Sequence, residues 1–196
     1  VYTTSFTNWK NDISTLFDKA ELAGKIPLGK TILIKPNLVM ATAPPVTVGV
    51  ECVECVVEYL QENIPESKIC IGEGTGAAEY ETAHCFKILG YSEMAQRKKI
   101  ELIDLNMEPC VKKSVPEYQR LPELFLPDLL DNVFLLSIPV LKAHSMSEVT
   151  LTMKNMMGCV PPEFYQQGGY WKKSSFHNDL HAAIFDLNRY RTADFT

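Results

Sequence analysis

Four short segments of this chain are apolar along nearly their whole length, and helical patterns separate most of them. We predict that these segments are strands, at Thr31–Ile34, Lys68–Ile71, Glu101–Leu105 and Asn132–Ile138. Strands that are apolar on both faces are typical of parallel sheets, which helices cover on each side. The sequence therefore predicts an α/β fold, in which a mostly parallel sheet has helices on both faces as a three-layer sandwich.

Apolar residues at helical spacing predict the helices of this sandwich. The four clearest lie at residues 8–23, 47–61, 79–89 and 178–189. A fifth helix is predicted after Ser145, because Ser145 and Glu148 match the capping-box pattern and Gly158 provides a stop.

No internal repeat or low-complexity tract divides the chain, so we expect residues 1–196 to form a single α/β domain. Residues 189–196 end where a further strand would begin, which predicts a domain that is incomplete at its C-terminus and a piece of a longer one. The chain begins at Val1 with no basic-then-apolar leader, so we expect any targeting segment to be absent or removed.

Composition excludes several classes of function. The chain has 19 Lys and Arg against 24 Asp and Glu, a net charge of −5, which argues against a nucleic-acid partner. No apolar run approaches the ~20 residues of a membrane span.

The six cysteines are scattered, and the pair Cys52 and Cys55 lies within a predicted helix, which favours core packing over redox or metal binding. This cysteine spacing does not support an iron–sulfur cluster, and reduced cysteines favour the cytoplasm.

Polar side chains follow three of the predicted strands. Lys35 and Asn37 come after the first strand, and Glu73 comes after the second. Lys142 and His144 come after the fourth. Because ligands of parallel sheets bind beyond the carboxyl ends of the strands, we expect these side chains to share one site.

The lysines of this set indicate the charge of the ligand. The predicted helix behind the fourth strand adds Lys154 and Asn155. Lys35, Lys142 and Lys154 would form a positive pocket in an otherwise acidic chain, suited to a carboxylate or phosphate group.

A glycine-rich turn, Gly72–Gly76, follows the second strand. It has neither the full spacing of a dinucleotide-binding turn nor the lysine of a P-loop. We therefore interpret Gly74 and Gly76 as parts of a tight turn whose N–H groups receive an anion.

Two histidines, His177 and His181, are four residues apart, so one helix would place both on one face. This is a zinc-helix spacing, but Asn178 stands where a metalloprotease needs its glutamate, so the protease interpretation is excluded. A metal site made of His144, His177 and His181 remains an alternative to a His177 that simply faces the pocket.

Together these segments resemble the domain of unknown function 362 family, an uncharacterised prokaryotic family. The resemblance covers about Thr31 to Arg189, and its most specific part is Pro139–His144 followed by Lys154–Gly158. It implies that the recurring family positions here are Lys35, Asn37, Glu73, Lys142, His144, Lys154, Asn155 and His177. Some family members are iron–sulfur proteins with a ferredoxin-like module, but this chain lacks their cysteine run, and the family implies no general activity.

Three hypotheses for function follow. The first is an enzyme-like domain that binds a small anionic metabolite through the three lysines, orients it with Asn37 and Asn155, and moves a proton with His144 or Glu73. The second is an electron-transfer scaffold whose cluster lies in a missing segment or in a separate ferredoxin-type module. The third is a non-catalytic ligand- or metal-binding module.

The segment Gly158–Phe176 is longer than an ordinary connection between elements and joins two parts of the expected site. It contains the aromatic residues Phe164, Tyr165, Tyr170 and Trp171, the paired glycines Gly168 and Gly169, and Lys172 and Lys173. One interpretation is a lid whose aromatic side chains close over a ligand while its lysines add charge at the mouth. The alternative is a surface loop whose aromatic side chains cover the core.

Overall fold

The computed structural model describes residues 1–196 and contains eight strands and eight α-helices. The strands are β1 (Ile32–Pro36), β2 (Ile69–Glu73), β3 (Glu101–Asp104), β4 (Cys110–Ser114), β5 (Glu123–Pro127), β6 (Phe134–Ile138), β7 (Lys142–His144) and β8 (Glu148–Thr150). The helices are α1 (Trp9–Lys19), α2 (Leu22–Lys25), α3 (Val50–Asn63), α4 (Thr82–Ile88), α5 (Tyr91–Lys98), α6 (Thr152–Asn155), α7 (Pro162–Tyr165) and α8 (Leu180–Tyr190). Short 3-10 helices lie at Asp128–Asp131, Met156–Cys159 and Ser174–His177.

Four strands form the central sheet, in the order β3-β2-β1-β6. Each neighbouring pair is parallel, and Ile34 of β1 pairs with Ile71 of β2 on one side and Leu136 of β6 on the other. The four strands are the four predicted apolar segments. Because they all run in one direction, their carboxyl ends meet at a single edge of the sheet.

Each face of this sheet buries a separate apolar layer. In the first apolar layer, Ile32 and Ile34 pack with residues of α1, α3 and α5, whereas in the second apolar layer Leu33, between them in β1, packs with α8 and the β4–β5 hairpin. All three side chains are fully buried, as expected where strand residues alternate between two covered faces. The predicted α/β fold with helices on both faces is confirmed.

The sequence explains where the first helix begins. The side chain of Asn8 accepts the N–H of Asn11 at 2.9 Å, and the carboxylate of Asp12 accepts the N–H groups of Thr7 and Asn8. Such caps satisfy the unpaired N–H groups of a first turn.

The longest helix, α3, has 14 residues, and no helix in the structure has the length and apolar character needed to span a membrane.

The predicted helix between Ser145 and Gly158 is wrong over its first half. This stretch forms the antiparallel hairpin β7–β8, and helical structure begins only at Thr152. Glu148, the expected capping-box acid, has a left-handed φ of 58° and pairs with His144. The hairpin prevails because the His144 ring, rather than a serine cap, accepts the local N–H groups, and because β-branched Val149 and Thr150 favour a strand.

The β4–β5 hairpin was not predicted as strands. Its burial pattern is irregular, and the two strands cover the second apolar layer through Leu124 and Leu126.

At the edge of the central sheet formed by β6, Phe195 forms a parallel bridge with Leu136. The N–H of Ser137 donates to the carbonyl of Phe195 at 2.9 Å, so the last residues lie in the position of a fifth parallel strand.

Candidate functional site

A cavity of about 410 Å³ lies at the carboxyl edge of the central sheet. Its lining includes every residue predicted to bind a ligand or move a proton: Lys35, Asn37, Glu73, Gly74, Gly76, Lys142, His144, Lys154, Asn155 and His177. These residues come from strand ends and loops that are distant in sequence. The fold brings all ten together.

Lys35 and Glu73 form a buried ion pair at the base of the cavity. The Nζ of Lys35 lies 2.9 Å from Oε1 and 3.0 Å from Oε2 of Glu73, and both side chains are almost fully buried. The carboxylate also accepts the N–H groups of Leu38 and Gly74, each at 2.9 Å. Because each charge is satisfied by the other, these contacts favour a supporting role for both residues over the predicted roles in anion binding and proton transfer.

Asn155 connects this pair to the neighbouring strands. Its Oδ1 accepts from Nζ of Lys35 at 3.2 Å and from Nδ2 of Asn37 at 3.1 Å. Its Nδ2 donates to the carbonyl of Lys35 and to the hydroxyl of Ser137. With both ends of the amide occupied, Asn155 fixes α6 to the sheet rather than contacting a ligand.

Gly158 lies directly against the ion pair. A Cβ at this position would come within 1.9 Å of Oε1 of Glu73 and 2.5 Å of Nζ of Lys35. At Gly74, a Cβ would lie 2.4 Å from Oδ1 of Asn106 and 2.5 Å from the carbonyl of Gly158. Both glycines are therefore needed for close approach of the backbone.

The glycine-rich turn does not present free N–H groups, contrary to the prediction. The N–H of Gly74 donates to Glu73, that of Thr75 to the hydroxyl of Thr82, and that of Gly76 to the carbonyl of Val39. All three donors are thus used within the protein. The glycines line the cavity because they lack side chains, and not as an anion-binding turn.

Lys142 and Lys154 reach the cavity without meeting a carboxylate. The Nζ of Lys142 donates to Oδ1 of Asn37 at 3.0 Å and to the carbonyl of Val46. The Nζ of Lys154 lies 3.7 Å from the sulfur of Met157 and has no oxygen acceptor. Burial lowers the pKa of Lys142 below its usual range, and burial together with the charge of Lys142 lowers the pKa of Lys154 to about 8.

Lys173 is a cavity residue that the strand-end argument missed. It was predicted to add charge at an exposed mouth, yet its side chain is buried. Its Nζ donates to the carbonyls of Gly74 at 2.8 Å and Gly158 at 3.2 Å. Burial lowers the pKa of Lys173 to about 7. Neighbouring Lys172 forms an ion pair with Glu81 outside the cavity.

The contacts of His144 show which of its two ring nitrogens is left without a partner. Its Nδ1 accepts the N–H groups of Met146 at 3.1 Å and Ser147 at 3.2 Å. A neutral imidazole with Nδ1 as acceptor carries its proton on Nε2, so the free nitrogen is a donor. Burial and the positive charge of Lys154 lower the pKa of His144, which also favours this neutral form. The arrangement suits hydrogen-bond donation to a ligand oxygen better than the predicted proton transfer.

The two histidines at zinc-helix spacing do not share a helix. His177 ends a 3-10 helix, α8 begins at Leu180, and Asp179 between them has a left-handed φ of 54°. His177 lines the cavity, and burial lowers its pKa, whereas His181 lies outside the cavity. No group of three or more His, Cys, Asp or Glu side chains is placed to hold a metal ion.

The six cysteines are free thiols. Burial raises the pKa of Cys52 to about 12 and also raises that of Cys55, its partner in the C-x-x-C pair. Cys52 packs in the first apolar layer, in line with the predicted core role. Thiols that stay protonated are poor nucleophiles and poor metal ligands.

Thr150 is a second cavity residue that sequence reasoning missed. It is only 3% exposed, it lines the cavity, and its hydroxyl has no hydrogen-bond partner. An unpaired buried hydroxyl is costly to the folded state, and this one belongs to a residue of the cavity lining. Seven lining residues are apolar: Val39, Met40, Val46, Ala143, Met146, Met157 and Trp171.

The segment Gly158–Phe176 combines both of its predicted features. Tyr165 and Phe176 are buried in the second apolar layer, as the surface-loop alternative expects. Trp171 lines the cavity, and Gly168 and Gly169 both have positive φ angles beside it. Closure of this segment over a ligand stays a prediction.

Comparison with known proteins identifies a family but no activity. A search of curated proteins gives no match. The family model described as "Domain of unknown function (DUF362)" matches residues 32–196, which include the whole cavity lining and all four strands of the central sheet. The chain therefore belongs to the DUF362 family.

Proposed function

We propose that the cavity at the sheet edge binds a small carboxylate or phosphate metabolite and forms the site of an enzyme-like domain. One observation carries the proposal: three lysines that line the cavity, Lys142, Lys154 and Lys173, face no carboxylate. The only acid in the lining, Glu73, is already paired with Lys35. The cavity therefore holds excess positive charge that a bound anion would neutralise.

The contacts divide the lining into supporting and ligand-facing residues. Lys35, Glu73 and Asn155 hold one another and form the floor of the cavity. Lys142 and Lys154 attract the anion, and Asn37 orients it through Lys142. The remaining ligand-facing groups are hydrogen-bond donors: the Nε2–H of His144 and the ring of His177.

A thermal-shift titration tests this function. The wild-type chain is heated with inorganic phosphate, acetate or malonate at constant ionic strength, with chloride as the reference salt. We expect at least one anion to raise the melting temperature, because a ligand that binds only the folded state stabilises it. Lys142→Met and Lys154→Met should each weaken that anion's binding about tenfold or more, since hydrogen bonds to charged groups contribute ~1.5–3 kcal/mol.

Lys87→Met is the matched control, because Lys87 is exposed on α4 and lies outside the cavity. It removes the same charge from the chain and should leave the anion's effect unchanged. If no anion stabilises the wild type, or if all three variants respond alike, the proposed function fails.

In this proposal the partner of the chain is a small anion. All six thiols are free, which is in keeping with a reducing compartment and supports the proposal of a cytoplasmic location. No contact in the cavity favours the electron-transfer hypothesis over this one.

A further inference from the structure

We propose that Lys154 is a nucleophile that forms an imine with the carbonyl carbon of a small oxo acid bound in the cavity. This inference rests on the proposed function and names its substrate class: a carboxylate that carries a neighbouring ketone or aldehyde group. It assigns a covalent role to one of the four lysines in the lining.

The contacts of Lys154 differ from those of the other cavity lysines. Lys35 is bound to a carboxylate, Lys142 to an amide oxygen and a carbonyl, and Lys173 to two carbonyls. Lys154 meets only the sulfur of Met157, at 3.7 Å, which is a weak acceptor. Its nitrogen is therefore the one amine in the lining that a ligand can approach without breaking a hydrogen bond to oxygen.

The backbone beneath this amine is fixed. Lys154 directly precedes Asn155, which is bonded to Lys35, Asn37 and Ser137 at the ends of β1 and β6. A nucleophile on a rigid element is held close to its reacting atom, so less entropy is lost when the bond forms.

The surroundings of Lys154 favour the neutral amine that such chemistry requires. Its charged and titratable neighbours are Lys142, His144 and His177, and it contacts no carboxylate. Burial beside a second cation is the environment that activates imine-forming lysines. With a pKa of about 8 for Lys154, roughly a tenth of these side chains are neutral at pH 7.

The reaction balances without an oxidant or reductant. Lys142 holds the carboxylate of the oxo acid, and the Nε2–H of His144 donates to its carbonyl oxygen. The Lys154 nitrogen bonds to the carbonyl carbon, the carbon–oxygen bond breaks, and the oxygen leaves as water with the two protons of the amine. A carbon–nitrogen double bond joins Lys154 to the ligand.

Reductive trapping tests the proposal. The full chain is incubated with pyruvate and sodium cyanoborohydride, whose hydride converts the imine into a stable secondary amine. We expect one adduct per chain, with the added mass of pyruvic acid less one oxygen atom, and peptide mapping should locate it at Lys154. Lys154→Arg should abolish the adduct, because arginine forms no such imine, whereas Lys87→Arg should leave it intact.

The proposal is overturned if no adduct exceeds the level found on exposed Lys87, if the adduct maps to Lys142 or Lys173, or if Lys154→Arg still reacts. Acetate and phosphate separate this result from the proposed function, because neither carries a ketone or aldehyde. Stabilisation of the wild type by those anions with no pyruvate adduct contradicts the imine alone. The absence of both contradicts anion binding as well.

Discussion

Gly158 is the residue at which the site tolerates least change. Replacing it by alanine places a methyl group 1.9 Å from the Glu73 carboxylate and 2.5 Å from Nζ of Lys35, so both groups must shift from their positions in the ion pair. Breaking a buried ion pair costs ~3–5 kcal/mol because an unpaired charge remains inside. We therefore expect Gly158→Ala to lower the free energy of unfolding in urea by about 3 kcal/mol.

Gly24→Ala provides the comparison for this variant. No atom lies within 4 Å of a Cβ at Gly24, which sits in the helix α2. Alanine there should be neutral or should stabilise by ~0.5–1 kcal/mol. Equal unfolding free energies for the two variants would show that the ion pair is not held as described.

Lys154 should also make anion binding depend on pH. Burial holds the pKa of Lys154 at about 8 in the free protein, and a bound anion favours the ammonium form. The affinity for the anion is then greatest below pH 8 and decreases as the pH rises through that value. We expect acetate affinity, measured by calorimetry at fixed ionic strength, to fall roughly tenfold from pH 7 to 9.

Lys154→Arg isolates this effect, because arginine keeps its charge across the whole range. In that variant the decline should begin at a higher pH. Parallel declines in wild type and variant would assign the titration to another group.

For individual residues, the sequence predicted the members of the site that follow a strand. It missed the members of the site whose role depends on tertiary packing. Lys35, Glu73 and Lys142 follow apolar segments, so the topology alone placed them at one edge. Lys173 lies in an aromatic loop, where a lysine is usually solvated, and its contacts with Gly74 appear only in the folded chain. The individual roles of the cavity residues could not be predicted either, because the spacing of residues in the sequence does not show which hydrogen bonds their side chains form.

Among the elements, the β7–β8 hairpin is the one whose conformation differs most from the sequence prediction, because the sequence predicts a helix there. Glu148 has a φ of 58° in this hairpin, a conformation that costs a residue with a side chain ~1–2 kcal/mol. Glu148→Gly should therefore stabilise the protein by about 1 kcal/mol in urea unfolding, whereas Glu148→Ala keeps the unfavourable φ and should not.

A helix with a capping box at Ser145 requires the opposite result. Glycine would then weaken the first turn and lose the acid of the box, so Glu148→Gly would destabilise the protein relative to Glu148→Ala. The sign of the difference between the two variants decides between hairpin and helix.

The elements that the sequence predicted well are those with one strong periodic signal. The four central strands are continuous apolar runs, and α1 and α8 have clear apolar faces. The β4–β5 hairpin has only a weak alternation. The capping-box pattern at Ser145 failed because a nearby histidine side chain supplied a competing acceptor.

For the whole molecule, the two apolar layers raise the question of whether the chain unfolds as one unit. The layers share the central sheet, with Ile34 on one face and Leu33 on the other. Trp9 starts α1, which packs on the first layer, and Trp171 lies in the segment Gly158–Phe176, whose Tyr165 and Phe176 pack in the second layer; these are the only tryptophans. Trp9→Phe and Trp171→Phe thus leave one fluorescent probe in each region.

We expect a single domain, so both probes should report the same urea midpoint once each variant's own stability is measured by circular dichroism. Leu33→Ala and Ile34→Ala should each cost about 2–5 kcal/mol and shift both probes together. Midpoints that separate in either alanine variant would mean that the layers unfold independently.

The side-chain nitrogen of Lys173 contacts residues that are far from it in the sequence, and these contacts affect the order in which the cavity forms during synthesis. It joins carbonyl groups that precede it by 99 and by 15 residues. Contacts across such separations close late, because long loops must be ordered first. On the ribosome, β2 and Gly74 would emerge long before Lys173, which contacts that glycine, is synthesised. A cavity of the proposed anion-binding kind is then complete only after Lys173 has been synthesised and packed against Gly74.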